Sequence, residues 1–233
     1  MLKKLNLICL PYAGGSANVY SSWKSEFNEV NIVPIELSGR GTRMNEPLYD
    51  DFEEATEDIY KKVKKYMHTP FAVLGHSMGA ALAYKVATRI IENNDRVPEF
   101  MIMSGKIPPH LPVDSNIASL NDIEFLKEVT KLGGMKEEFL QNQELVNLFL
   151  PILKSDFKLV ESFRFDGKIA FPFDLHILYG TNDHLTTREG LDQWHTYTSE
   201  KSHFKAFQGN HFFIEGNRNE VISYIKSILK QYS

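Results

Sequence analysis

The sequence predicts an α/β fold, with a mostly parallel central sheet flanked by helices. Three observations carry this reading. Short runs rich in Leu, Ile, Val and Phe recur along the chain and are closed by Gly or Pro. Helix-length stretches separate them. A length of 233 residues is enough for one α/β domain with a large core.

In order, the runs are LNLICL (5–10), NIVPIEL (31–37), FAVLG (71–75), FMIMSG (100–105), LHILYG (175–180) and HFKAF (203–207). Strands covered on both faces read as continuous apolar runs, so each is expected to be a parallel strand. Asp51 to Met67 carries Phe52, Ala55, Ile59, Val63 and Tyr66 at three- and four-residue spacing, the stripe of an amphipathic helix. Ser77 to Glu92 reads as a largely buried helix, and Glu215 to Gln231 as a closing one. This alternation implies a doubly wound sheet with right-handed crossovers. One stretch breaks it. Between Gly105 and Leu175 no strand is evident, and helical pieces are expected at 122–132, 136–141, 144–154 and 155–165. We read one domain over 1–233 with a helical lid insertion at about 114–166, because mobile helices beside an α/β active site form such lids.

Composition narrows the function. Apolar content of 42% and charged content of 24% are ordinary for a soluble globular protein. A net charge of -4 gives no reason to expect nucleic acid. The single cysteine, Cys9, cannot form an internal disulfide and reads as core of the first strand, which fits a reducing cytoplasm. The start, MLKKLNLICLPYAGG, is too short in apolar residues for a membrane span and lacks a cleavage site, so a cytoplasmic location is expected; the chain is expected to be a monomer.

The chemistry is concentrated in GHSMG, Gly75 to Gly79. A serine between two glycines, after a strand and before a helix, is the pattern of a nucleophile elbow with Ser77 at its apex. A serine needs a base, and the base an orienting group. In α/β-hydrolases the chain order is Ser, then Asp or Glu, then His. Asp183, in TNDHLTT, stands just past the strand LHILYG. His211, in QGNHFFIEG, stands just past HFKAF. The competitors are worse placed. His76 adjoins Ser77 on a tight turn and is expected to pack or bond locally. His184 and His195 precede the last strand. His68, His110, His176 and His203 are scattered and read as solvated or structural. Asp174 precedes its strand, and Asp192 sits in a helical stretch. For the oxyanion, one donor is the N–H of Met78; the other is expected from PYAGGSA (11–17), with Ala13 first and Tyr12 next. The eight histidines show no clustered ligand spacing, so no metal site is expected.

Beyond the triad, PYAGGSA, ELSGRGTRMNEP (36–47), GHSMGA, MSGKIPPH (103–110), LGGM (132–135), LPILKSDFKLVE (150–161), YGTNDH and GNHFFI (209–214) run in a set order. In this the chain resembles the type II thioesterases, the stand-alone editing enzymes of non-ribosomal peptide and polyketide synthases. It departs at Ser38, where the family often has proline, and at Asn210, where it often has glycine. The resemblance implies hydrolysis of acyl groups from the phosphopantetheine thiol of acyl- or peptidyl-carrier domains. It implies no cofactor, since the arm belongs to the substrate. Arg40 and Arg43 face either an acidic carrier or phosphate, or plain solvent. A general carboxylesterase or lipase-like serine hydrolase, a chain-terminating acyl-carrier thioesterase and a non-catalytic partner protein all stay open.

Overall fold

The structure is a computed structural model that describes residues 5–111, 116–135 and 140–232. Six strands form one sheet: β1 (Leu5–Leu10), β2 (Val30–Pro34), β3 (Phe71–His76), β4 (Phe100–Ser104), β5 (Asp174–Gly180) and β6 (Ser202–Phe207). The order is β2-β1-β3-β4-β5-β6, and every pairing is parallel. All residues of β1, β3 and β4 are buried, which is why their runs show no polar alternation and carry only Asn6, His76 and Ser104 as polar members.

Alternate side chains feed two cores. Ile8, Val73, Met101 and Ile177 pack with helices α1 (Phe52–Lys64) and α2 (Met78–Glu92). Leu7, Leu74, Ile102 and Leu178 pack with Val221, Ile225 and Ile228 on the far face. Helix α1 begins where Asp51 caps it, its side chain accepting from the Glu54 N–H at 2.8 Å. Glu53 and Glu54 in the first turn and Lys61, Lys62 and Lys64 near the end suit the helix dipole.

Between β4 and β5 the described elements are helical: a 3-10 turn at Ile117–Ser119, α3 (Asp122–Lys131) and α4 (Gln143–Ser162). The expected helices at 144–154 and 155–165 are one. Buried Val146, Leu153, Asp156 and Leu159 keep helical spacing across the expected break, and Pro151 stands within the helix. The expected helix at 136–141 falls largely outside the described residues, as does the start of the insertion near 114. Phe125 and Val129 of α3 meet Leu153 of α4 in a small apolar core of their own.

After β5 come α5 (Arg188–Asp192), then β6, a short turn α6 (Phe213–Gly216) and α7 (Arg218–Leu229). The closing helix, read as starting at Glu215, thus begins after Asn217. The strand read as 31–37 ends at Pro34, although Ile35 and Leu37 stay buried. The Ile35 N–H still donates to the Cys9 carbonyl at 2.9 Å, and the chain leaves the sheet after it. Among the described residues, no helix is long and apolar enough to cross a membrane.

Candidate active site

Ser77 joins β3 to α2 with φ 54° and ψ -114°, a left-handed conformation unusual for a residue with a side chain. The flanking glycines make the turn possible. A Cβ on Gly75 would lie 2.1 Å from the carbonyl oxygen of Gly79, and one on Gly79 would lie 2.2 Å from that of Leu10. The Ser77 N–H is anchored on the Ser104 carbonyl at 2.8 Å.

The loops after β5 and β6 are joined to each other. Thr181 N–H donates to Phe207, and Asn182 N–H to Gly209, both at 2.8 Å. Gly180 permits the approach, since a Cβ there would meet the Asn210 carbonyl oxygen at 2.4 Å. Asn210, the departure noted above, accepts the Phe212 N–H on its side chain at 3.0 Å and so shapes the turn itself.

These loops bring Asp183 and His211 to Ser77. His211 Nδ1 lies 2.8 Å from Asp183 Oδ2, and His211 Nε2 lies 2.8 Å from Ser77 Oγ. Asp183 Oδ1 accepts the Leu185 N–H at 2.9 Å. An ionised carboxylate only accepts hydrogen bonds, so it fixes the proton on Nδ1 and leaves the Nε2 lone pair facing the serine. Asp183 and His211 are 6% and 5% exposed, which shields the chain of bonds from water.

None of the competing residues bonds Ser77 Oγ, although His184 lines the same cavity. His76 is fully buried and bonds Ser104 Oγ through Nδ1 at 2.8 Å. Burial, and secondarily His211 nearby, holds its pKa well below the usual imidazole value, so it stays neutral beneath the site. Asp192 pairs with Arg188, and Asp174 starts β5 at the opposite end of the sheet.

The PYAGGSA loop lies against the N-terminus of α2. Its Gly14 N–H is taken by Asp156 Oδ2 at 2.7 Å, and its Gly15 N–H by the Tyr12 carbonyl at 2.9 Å. Among the described residues, the N–H groups of Ala13 and Met78 donate to no protein acceptor. Tyr12 donates its hydroxyl to Glu215, tying the loop to the segment after His211.

Both arginines left open above are occupied. Arg40 is 3% exposed and grips fully buried Asp156 in a bidentate pair, at 2.5 and 2.7 Å. It also donates to the Gly15 carbonyl at 3.2 Å. Arg43 bonds Glu46, Asp58 and Tyr49. Neither is free to meet a carrier. Arg40 and Asp156 instead pin the Gly14–Gly15 turn to α4. Asp156 stands in the quoted LPILKSDFKLVE segment, but sequence reading assigned it no partner. Asp156→Ala is expected to cost about 3–5 kcal/mol of unfolding free energy, because it leaves a buried guanidinium uncompensated. Urea denaturation checks this; a loss under about 1 kcal/mol would show that the pair is not what holds the loop.

Ser77 and His211 open into a cavity of about 1070 Å³. The insertion supplies an apolar wall of Val129, Leu145, Phe149, Leu153 and Phe157. Half-buried Lys106 also lines it, and its partial burial lowers its ammonium pKa. The insertion touches the His211 loop at its glycines: a Cβ on Gly133 or Gly134 would strike Asn210 at 2.5 Å or the Phe212 ring at 2.1 Å. That contact explains the LGG motif.

The parallel sheet, the strained serine turn and the loops at the strand ends define an α/β-hydrolase fold. Comparison with known proteins narrows this. The family model described as "Thioesterase domain" matches residues 5–229. Thioesterase PikA5 of Streptomyces venezuelae is 33% identical, over 97% of this chain and 81% of its own length. The crystal structure of ClbQ from the colibactin NRPS/PKS pathway superposes with a TM-score of 0.93 at 31% identity, covering 98% of each chain. The type II thioesterase BorB from the borrelidin biosynthetic cluster does so with a TM-score of 0.87 at 27% identity, covering 96% of this chain and 91% of its own. The chain belongs to the thioesterase family.

Proposed function

We propose that this protein is a type II thioesterase that hydrolyses acyl or aminoacyl thioesters from the phosphopantetheine arm of carrier proteins. It would thereby regenerate misprimed non-ribosomal peptide or polyketide synthases. The observation that carries the reading is the Ser77–His211–Asp183 chain of hydrogen bonds opening into a cavity walled by the helical insertion. The similarity to ClbQ of the colibactin NRPS/PKS pathway and to the type II thioesterase BorB supports the substrate class.

The chemistry follows from the geometry. His211 Nε2 takes the Ser77 proton as Oγ bonds to the thioester carbonyl carbon. The developing oxyanion sits between the N–H groups of Ala13 and Met78, which no protein acceptor occupies. The C–S bond then breaks, and the arm departs as a thiol with the proton that His211 held. Water gives a proton to the same nitrogen and attacks the acyl-serine carbonyl; as the C–Oγ bond breaks, His211 returns that proton to Ser77 Oγ and the acid leaves. Asp183 holds the imidazole and stabilises its charged form throughout. In this reading the arm belongs to the substrate, and the enzyme supplies no cofactor.

Intact-mass measurement of acylated carriers tests this reading. Acetyl and longer acyl groups should all be lost from the carrier on incubation with the protein, with weak preference among them. A pocket gains only about 1–3 kcal/mol of discrimination per methylene, and the cavity wall is apolar and broad. Strong preference for one long chain would mark a chain-terminating thioesterase instead.

A further inference from the structure

The sheet carries a second cluster of reactive side chains at the end opposite Ser77. Parallel pairing of β5 and β6 sets His176 directly beside His203. Asp174, two residues before His176, shares its face. One ligand atom from each of the three lies within 4.8 Å of the other two. Spacing along the chain gave no sign of this cluster, because strand register assembles it; the expectation of scattered histidines fails here.

His176 needs an explanation. It is 2% exposed, and neither ring nitrogen has a hydrogen-bond partner. An unpaired buried polar group costs about 1–3 kcal/mol. Its ring stacks on His203, with centroids 4.7 Å apart, and meets the Phe100 ring at 5.6 Å. An apolar side chain would fit these surroundings without that cost. Both ring nitrogens lack a protein partner, so one lone pair is open to a metal.

We propose that Asp174, His176 and His203 bind a divalent transition metal, with Zn²⁺ as the reference ion. Two imidazoles and one carboxylate are a donor set that zinc takes with water in the fourth position. His203 Nε2 already faces Asp174 Oδ2 at 3.4 Å; bonds of about 2.0–2.2 Å require ligand atoms roughly 3.3 Å apart and in-plane lone pairs that converge, so on binding the His203 ring must swing out of its stack on His176 as the cluster tightens. His203 and Asp174 have side chains 36% and 23% exposed, which gives room to move and a path for the ion. Asp174 is already oriented, accepting from the Tyr232 hydroxyl at 2.9 Å and from the Lys201 N–H at 3.1 Å. The bound ion would clamp edge strand β6 to β5, with Tyr232 as an outer partner. It lies at the far end of β5 from Asp183 and takes no part in hydrolysis.

The test uses the full chain without a histidine tag, stripped by chelator and titrated with ZnCl₂ under calorimetry and thermal unfolding. The proposal expects one equivalent bound and a higher Tm. His203→Ala and Asp174→Asn, at partly exposed positions, should weaken binding about tenfold or more and remove the rise in Tm. His176→Leu should match or exceed the parent Tm in chelator yet fall below it in zinc. No zinc bound by the parent, or equal binding by the parent and His203→Ala, overturns the proposal.

Discussion

Ser77→Ala is expected to lower acyl-carrier hydrolysis by about 10⁴- to 10⁶-fold, by analogy with protease triads. The fold should survive. Alanine meets the same backbone strain at φ 54° that serine does, and the change removes only the hydroxyl bonded to His211 at 2.8 Å. Circular dichroism and Tm should match the parent. Activity within tenfold of the parent in a purified, folded variant would remove Ser77 from the mechanism.

Asp183→Asn should be nearly as severe, with a loss of roughly 10⁴-fold by the same analogy. The carboxylate accepts from both His211 Nδ1 and the Leu185 N–H. An amide has one acceptor oxygen. Offering that oxygen to Leu185 turns the NH₂ group toward the imidazole and drives its proton to Nε2, where it blocks the serine. Asp192→Asn loses only an exposed contact with Arg188, and Asp174→Asn lies at the other end of β5; both should hydrolyse acyl-carriers at close to the parent rate. If Asp192→Asn proved the crippling change, the assignment of the acid after β5 would be wrong.

What could be read from the sequence was what depends on local pattern. Strands β1 and β3 were legible because burial on both faces makes their runs apolar apart from Asn6 and the terminal His76. The glycines at 75 and 79 flagged the turn around Ser77 because no side chain fits there. Asp183 and His211 were legible because each follows a strand end and the topology places those ends side by side. Pairings between distant segments were not legible. Arg40 finds Asp156 far along the chain on α4, and nothing beside either residue announces the other. His176 and His203 meet only through register, and Tyr12 reaches Glu215 only after the sheet is assembled. Helix α4 runs through Pro151 because tertiary burial of one face outweighs the lost backbone bond.

The central claim is that the site is built for an acyl group delivered by a carrier arm. The most direct measurement is kcat/KM for one acyl group, such as acetyl, presented on a phosphopantetheinylated carrier protein and on a simple thiol. The insertion walls the cavity beside Ser77, so contacts along the arm can position the thioester carbonyl. Truncation should therefore lower kcat as well as raise KM, and the carrier should be the much better substrate. Equal kcat/KM for carrier and simple thiol would contradict carrier recognition and leave a general esterase.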